Sequence, residues 1–340
     1  MAASYHSRMP TPLRFALTLF ALSVTSLDAC ATTPASISAA DPVTRNGLLR
    51  VEGNRIVGVH GQPVALAGVS LGWSQWEAAP FYNASAVTWL RDDWKATVVR
   101  AALGIHKTGY LTHPEENLAR VATVVDAAIA AGLYVIIDWH DHHAHEHPEL
   151  AAAFFSDMAR RYGRQPNVLY EIYNEPLRDA SWSRDVKPYT ELVIAAIRAI
   201  DPDNLIIVGS PRWSQDVDLA AADPVRDVNL AYSLHFYAGT HKQSLRDKAL
   251  VALDRGVALF VTEWGTCNAD GDGPVDEAET RAWFAFMREH HLSHCNWGLF
   301  DKAEGSAIVR PGASPTGGWT DADLTPSGHF TRELILSWPR

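Results

Sequence analysis

Short apolar runs alternate along this chain with longer stretches whose apolar positions recur every third or fourth residue. Runs of the first kind predict strands covered on both faces, and stretches of the second kind predict helices with one buried face. The strands are read at Val64–Val69, Thr97–Ala102, Leu133–Asp138, Asn167–Tyr173, Leu205–Val208, Asn229–His235, Ala258–Glu263 and Cys295–Phe300. Between them lie helical patterns. One starts near Thr112 and Glu115 at capping-box spacing, places Leu118, Val121, Ala122, Val125, Ala128 and Ile129 on one face, and stops at Gly132. Others run over Glu149–Tyr162, Tyr189–Ile200, Leu245–Leu253, Asp276–Glu289 and Thr331–Leu336. Strand–helix alternation with short loops predicts a single α/β domain, a (β/α)8 TIM barrel with its active site at the strand C-termini. Leu49–Val57, broken at Gly53-Asn54, predicts a short N-terminal β-hairpin closing the barrel bottom.

The first residues break the pattern. Arg8 and Arg14 precede an apolar run from Phe15 to Val24, too short to span and stay in a bilayer, and Ala29-Cys30-Ala31 offers a cleavage site. Residues 1–31 read as an export signal, making the mature chain secreted or periplasmic, with Cys30 offering a lipid anchor if the site is a lipoprotein box. Residues 32–46 read as a disordered linker and 47–340 as the catalytic domain, with no appended sugar-binding module and no integral membrane segment. A monomer is expected. Cys267 and Cys295 fall beyond one strand and near the start of the next, which predicts two unpaired buried thiols.

A chain of 340 residues with 47% hydrophobic positions supports a large core. The formal charge of −10 argues against nucleic acid as a partner. Twelve tryptophans exceed what packing alone requires, and such rings serve as stacking platforms for sugars.

The chemistry is carried by two acids. LYEIYNEP ends a strand at a proline and leaves Glu175 at its tip; ALFVTEWG ends a strand at Glu263. Two carboxylates at strand ends are what a retaining glycosidase needs, one as proton donor and one as nucleophile, about 5 Å apart. Arg100, inside the apolar run VVRAAL, needs an anionic partner, either a carboxylate in the cleft or a structural ion pair deep in the barrel. His140, Asn174, His235, Tyr237 and Trp297 share the strand-end setting. Arg100 and Tyr237 can keep the nucleophile charged, Asn174 can bond a sugar 2-hydroxyl, and Trp297 can stack under a pyranose. The run His140–His147, HDHHAHEH, invites a metal-dependent hydrolase as a rival, but it leads into Pro148 and a helix. All but His140 therefore read as solvated loop histidines. A non-catalytic glucan-binding protein is a third reading, against which the intact acid pair argues.

The motifs VVRAAL, VIIDWHDHHAHE, LYEIYNEP, SLHFYAGTH, VTEWGT and WGLFDKAEGSA together resemble glycoside hydrolase family 5, most of all its bacterial endoglucanase subfamily 2, over Leu48–Trp338. The resemblance implies a retaining endo-β-1,4-glucanase that needs no metal or other cofactor. It implies Glu175 as acid/base and Glu263 as nucleophile, with Arg100, His140, Asn174, His235, Tyr237 and Trp297 around the cleavage point. Lys302 and Glu304 match positions that bond glucose units on the non-reducing side, and Trp76 matches a stacking tryptophan at its far end. Mixed-linkage β-glucan, xyloglucan or mannan are alternative substrates within the family. Gly72 and Gly104 stand where relatives carry larger residues, which predicts a wider cleft beside the cleavage point.

Overall fold

The computed structural model describes residues 41–339; the predicted leader and most of the predicted linker lie outside them. Two short strands, β1 (Arg50–Glu52) and β2 (Arg55–Val57), form an antiparallel hairpin. Eight parallel strands then close a barrel: β3 (Ala67–Leu71), β4 (Val98–Gly104), β5 (Tyr134–His140), β6 (Val168–Glu171), β7 (Ile206–Val208), β8 (Leu230–Tyr237), β9 (Ala258–Gly265) and β10 (Ser293–Leu299). β10 returns to pair with β3, so no edge is left open. Every residue of these eight strands is buried, as expected where helices cover the outside and side chains fill the inside.

The outward faces of the strands and the apolar stripes of the helices form the main core. A second cluster lies at the strand N-termini, where Leu49 and Ile56 of the hairpin region meet Leu66, Val98, Tyr134, Ile136, Leu169, Leu205, Ile207 and Phe260. The hairpin thus plugs the bottom, as its sequence predicts. The chain is latched at the same level by Trp338, whose indole N–H donates to Ala65 O at 3.0 Å and whose ring meets His294 edge-on with centroids 4.4 Å apart.

Three expectations change in detail. Pro42–Asn46, assigned to the linker, is a short helix: Asp41 accepts from the Thr44 amide at 2.8 Å, and Val43 packs on the bottom cluster. The first barrel strand starts at Ala67 rather than Val64, because the Val64 amide bonds Ile56 O and belongs with the hairpin. The capping box at Thr112 does not form. Its hydroxyl turns back to the preceding loop, and the helix Pro114–Ala130 begins without a side-chain cap. Cys267 and Cys295 are buried and unpaired, as expected. Among the described residues, no helix is long and apolar enough to cross a membrane.

Candidate active site

Glu175 follows β6 by a short extension that stays registered with β5: the Asn174 amide bonds Trp139 O at 3.2 Å and the Glu175 amide bonds Asp141 O at 3.3 Å. Glu263 lies inside β9, next to Thr262. Side chains alternate along a regular strand, so these neighbours should point to opposite faces. The register between β8 and β9 slips at this point, from Ser233↔Phe260 to His235↔Glu263. An extra residue on β9 resets the alternation, and both side chains turn into the barrel. One oxygen of Glu175 and one of Glu263 then lie within 4.8 Å of each other, the spacing of a retaining pair.

Both oxygens of Glu263 are held. Tyr237 Oη donates to Oε1 at 2.8 Å and Arg100 Nη1 to Oε2 at 3.1 Å. Burial and the charge of Glu175 push Glu263 above the usual carboxylate range, against the opposing pull of His235, Arg100 and Tyr237. Arg100 is fully buried and joins two readings that the sequence kept apart. Its Nε pairs with Glu171 at 2.6 Å, its Nη2 with Asp138 at 3.0 Å, and the same Nη2 with Asn174 Oδ1 at 2.6 Å. It is both a deep structural ion pair and a clamp on Glu263. Burial alone would lower its pKa, but Asp138, Glu171 and Glu263 hold it well above the ordinary value.

Glu175 is held by two histidines. His235 Nδ1 meets Oε1 at 2.9 Å and His142 Nε2 meets Oε2 at 3.1 Å. Burial would raise this carboxyl, but the two histidines bring it down to about 2. Burial would likewise lower His235, but the carboxylates of Glu171, 3.7 Å from Nε2, and Glu175, 2.9 Å from Nδ1, raise it to about 9. The tautomer of His235 follows from its other side. Thr262 Oγ1 donates to Glu171 Oε1 at 2.6 Å and Ser233 Oγ at 2.8 Å, so neither hydroxyl hydrogen is left for the ring. His235 Nε2, 2.8 Å from Thr262 Oγ1 and 3.1 Å from Ser233 Oγ, must therefore be the donor. One further proton lies between His235 Nδ1 and Glu175, as His⁺/carboxylate. It is available to a leaving oxygen as carboxylic acid once it shifts across that bond.

The remaining strand-end residues are His140 and Trp297. His140 Nδ1 bonds Asp138 at 2.7 Å, and burial lowers its pKa well below the ordinary imidazole value, so it is neutral. Its ring stacks on Trp297 with centroids 4.9 Å apart and meets Trp73 edge-on at 4.3 Å. Beyond these rings, a cavity is lined by Trp73, Trp76, Trp297, Phe300, Lys302 and Glu304, so most of the residues assigned to sugar binding share one side of the acid pair. Trp76 is 43% exposed at its edge, and Lys302 pairs with Glu304.

Two readings fail. His142 is not a solvated loop histidine, since it bonds Glu175. The rest of the run disperses: His145 Nδ1 bonds Tyr173 Oη at 2.7 Å, His143 lies 3.5 Å from Glu146, and His147 faces His106. These rings do not converge on a metal. Nor do the glycines open the cleft. A Cβ on Gly72 would come within 2.8 Å of Phe300 and 2.9 Å of Ala78, and a Cβ on Gly104 within 2.2 Å of Gln75 Oε1. The space of the larger side chains is occupied by residues from elsewhere in the chain.

Sequence reasoning missed Glu171, Ser233 and Thr262, the buried floor under His235. Polar residues spaced to face inward within buried strands were the available signal. It also missed the opposite side of the cleft. There, Arg212, Trp213 and Ser214 have φ of 58°, 56° and 54°, three successive left-handed residues with no glycine among them. Each costs about 1–2 kcal/mol. The turn is tied to the segment that carries Glu175, the Trp213 amide bonding Pro176 O at 2.8 Å and Ser214 Oγ bonding Asn174 O at 2.8 Å. It places Trp213 in a cleft whose lining includes both Glu175 and Glu263.

Residues 57–303 match the family model Cellulase (glycosyl hydrolase family 5). The chain is 53% identical to Endoglucanase Z of Dickeya dadantii over 294 residues, 86% of this chain and 67% of that protein. It is 46% identical to an endoglucanase of Clostridium saccharobutylicum over 292 residues, 85% of this chain and 65% of that one. It therefore spans about two-thirds of the length of these relatives. Among solved structures, the catalytic domain of Thermobifida fusca endoglucanase Cel5A superposes with a TM-score of 0.84 at 35% identity, covering 88% of this chain and 100% of that domain. With the acid pair in place at the mouth of a (β/α)8 barrel, the chain belongs to the cellulase family, glycosyl hydrolase family 5.

Proposed function

We propose that the protein is a retaining endo-β-1,4-glucanase. The observation that carries this reading is the approach of Glu175 and Glu263 to within 4.8 Å, each with its own set of partners. Glu263, oriented through both oxygens by Tyr237 and Arg100, attacks the anomeric carbon. Glu175 delivers the proton it shares with His235 to the departing oxygen. In the second step Glu175 takes a proton from water, which attacks the glycosyl-enzyme and frees Glu263. Asn174, fixed by Arg100, bonds the 2-hydroxyl of the sugar under attack. Trp297, Trp73, Trp76, Lys302 and Glu304 hold glucose units on the non-reducing side, which leaves the Trp213 side for the reducing end. The names of the relatives and a form of Cel5A solved with cellotetraose support β-1,4-glucan as the substrate. Export through residues 1–31 belongs to the same proposal, as polymeric cellulose does not enter cells.

The test is hydrolysis of carboxymethyl cellulose by the wild type, Glu175→Gln and Glu263→Gln, with EDTA in parallel and the anomer of the first product read by NMR. The expected result is retention of configuration, no effect of EDTA, and a loss of roughly 10³-fold or more in either variant. An inverted product, or a Glu263→Gln enzyme as active as the wild type, would sink the mechanism. Activity confined to mixed-linkage glucan or galactomannan would replace the substrate and keep the mechanism.

A further inference from the structure

We propose that the reducing-end side of the cleft selects glucan chains bearing carboxylates, through Arg178 and Arg212 flanking the Trp213 platform. This rests on the glucanase reading of the site.

Both arginines line the cleft with Trp213, Glu175 and Glu263. Arg178 is exposed and, among the described residues, makes no ion pair; its guanidinium lies over the Trp213 ring, 5.8 Å from the centroid. Arg212 is exposed as well, with Nε 3.3 Å from Asp216 Oδ2. That carboxylate is already met more closely by Lys248, whose Nζ is 2.5 Å from the other oxygen. The pairing leaves a surplus of positive charge beside the indole. Among the described residues, the one carboxylate lining this side besides the acid pair is Asp270, whose Oδ1 accepts the Asp272 amide at 3.0 Å. His241 adds no charge, because burial lowers it to about 4 and its Nδ1 accepts the Tyr237 amide.

The placement is held by a strained backbone. Three successive left-handed residues put Arg212 and Trp213 on this rim, and the turn is anchored through Pro176 and Asn174 to the strand end that carries Glu175. Strain retained at a cleft edge marks a position the site uses. For a neutral glucan, an indole platform and hydroxyl-bonding groups suffice. Two guanidiniums with incomplete pairing match a carboxylate instead, in planar, bidentate geometry. The selection is local: the chain carries a formal charge of −10, so a polyanion is repelled everywhere except where such groups overcome it. The ligand class is a β-1,4-glucan with carboxylated glucose units.

The experiment uses amorphous cellulose partially oxidised to carboxylate at C6, beside the unmodified polymer, with products sequenced by mass spectrometry. The sugars on the reducing-end side of the cut become the new non-reducing end of the released fragment. In the wild type, uronate is expected at the first two positions of that end about threefold to tenfold above its average in the polymer. The enrichment should fade in about 0.5 M salt, where the screening length is only a few ångströms. In Arg178→Gln/Arg212→Gln it should vanish while uronate placement elsewhere in the products is unchanged. Uronate distributed at random by the wild type, or enriched equally by the double variant, would overturn the proposal. Failure of the wild type to cut even the unmodified polymer would overturn the glucanase reading and this inference with it.

Discussion

Replacing His235 by asparagine tests the proton arrangement at its centre. In the structure, the ring donates from Nε2 to hydroxyls fixed by Glu171 and shares a proton from Nδ1 with Glu175 at 2.9 Å. That shared proton leaves at the titration of His235, at about 9, because the two histidines hold the carboxyl itself down at about 2. The alkaline limb of kcat/KM should therefore lie near 9 in the wild type. In His235→Asn the carboxyl must keep its proton unaided, and the limb moves down toward the ordinary carboxylate range, with His142 still pulling in the same direction. At pH 7 the variant should lose roughly 10²- to 10⁴-fold, the usual contribution of a positioned general acid. A dinitrophenyl cellobioside, whose leaving group needs no proton, should lose far less in its first step. The assay is a pH–rate profile on both substrates. A uniform drop at every pH, equal for both leaving groups, would refute the shared-proton argument.

Tyr237→Phe removes the 2.8 Å bond to Glu263 Oε1, one of the contacts that lower the pKa of the proposed nucleophile. The acid limb should move to higher pH and kcat should fall about 10- to 100-fold, as for loss of a hydrogen bond to a charged group. The raised His235 also links stability to pH. Its folded value of about 9 exceeds the ordinary 6.5, so its stabilisation is complete below pH 6.5 and is lost as pH rises through 9, amounting to at most about 3 kcal/mol. The melting temperature should fall between pH 7 and 10 in the wild type and be flatter in His235→Asn. Gly68→Ala would place a Cβ 1.7 Å from Val98 O, a backbone atom of the neighbouring strand, and should cost about 3 kcal/mol or more by thermal melting. Gly104→Ala meets only the tip of Gln75, and should melt within about 1 kcal/mol of the wild type while changing KM as Gln75 is driven toward the cleft.

The sequence was most legible where one residue type has one physical meaning. Proline in NEP ends a strand, and continuous apolar runs between one-faced helices admit few folds but a barrel, so Glu175, Glu263 and the eight strands could be placed. Arg100 was legible as a buried charge, but not as one shared between three carboxylates, which lie on β5, β6 and β9. His142 looked like its loop neighbours because nothing local says which histidine folds back over Glu175. The turn at Arg212–Ser214 gave no sign at all: left-handed residues are signalled by glycine or asparagine, and PRWS has neither. Gly72 and Gly104 misled because their empty volume is filled by Phe300 and Gln75, and a deletion of side chain in one place was compensated in another.

The latch at Trp338 has a practical side. The ring sits in a socket of His294, Phe284 and Arg288 and bonds Ala65, just before the first barrel strand, so the chain's last described turn is fixed to the face opposite the cleft. An immobilisation tag joined after Pro339 would grip the protein by its base, and a cellulose-coated sensor approached from the opposite side would face the catalytic mouth. The same tag placed in the loops after β7 or β9 would have to pass between enzyme and polymer.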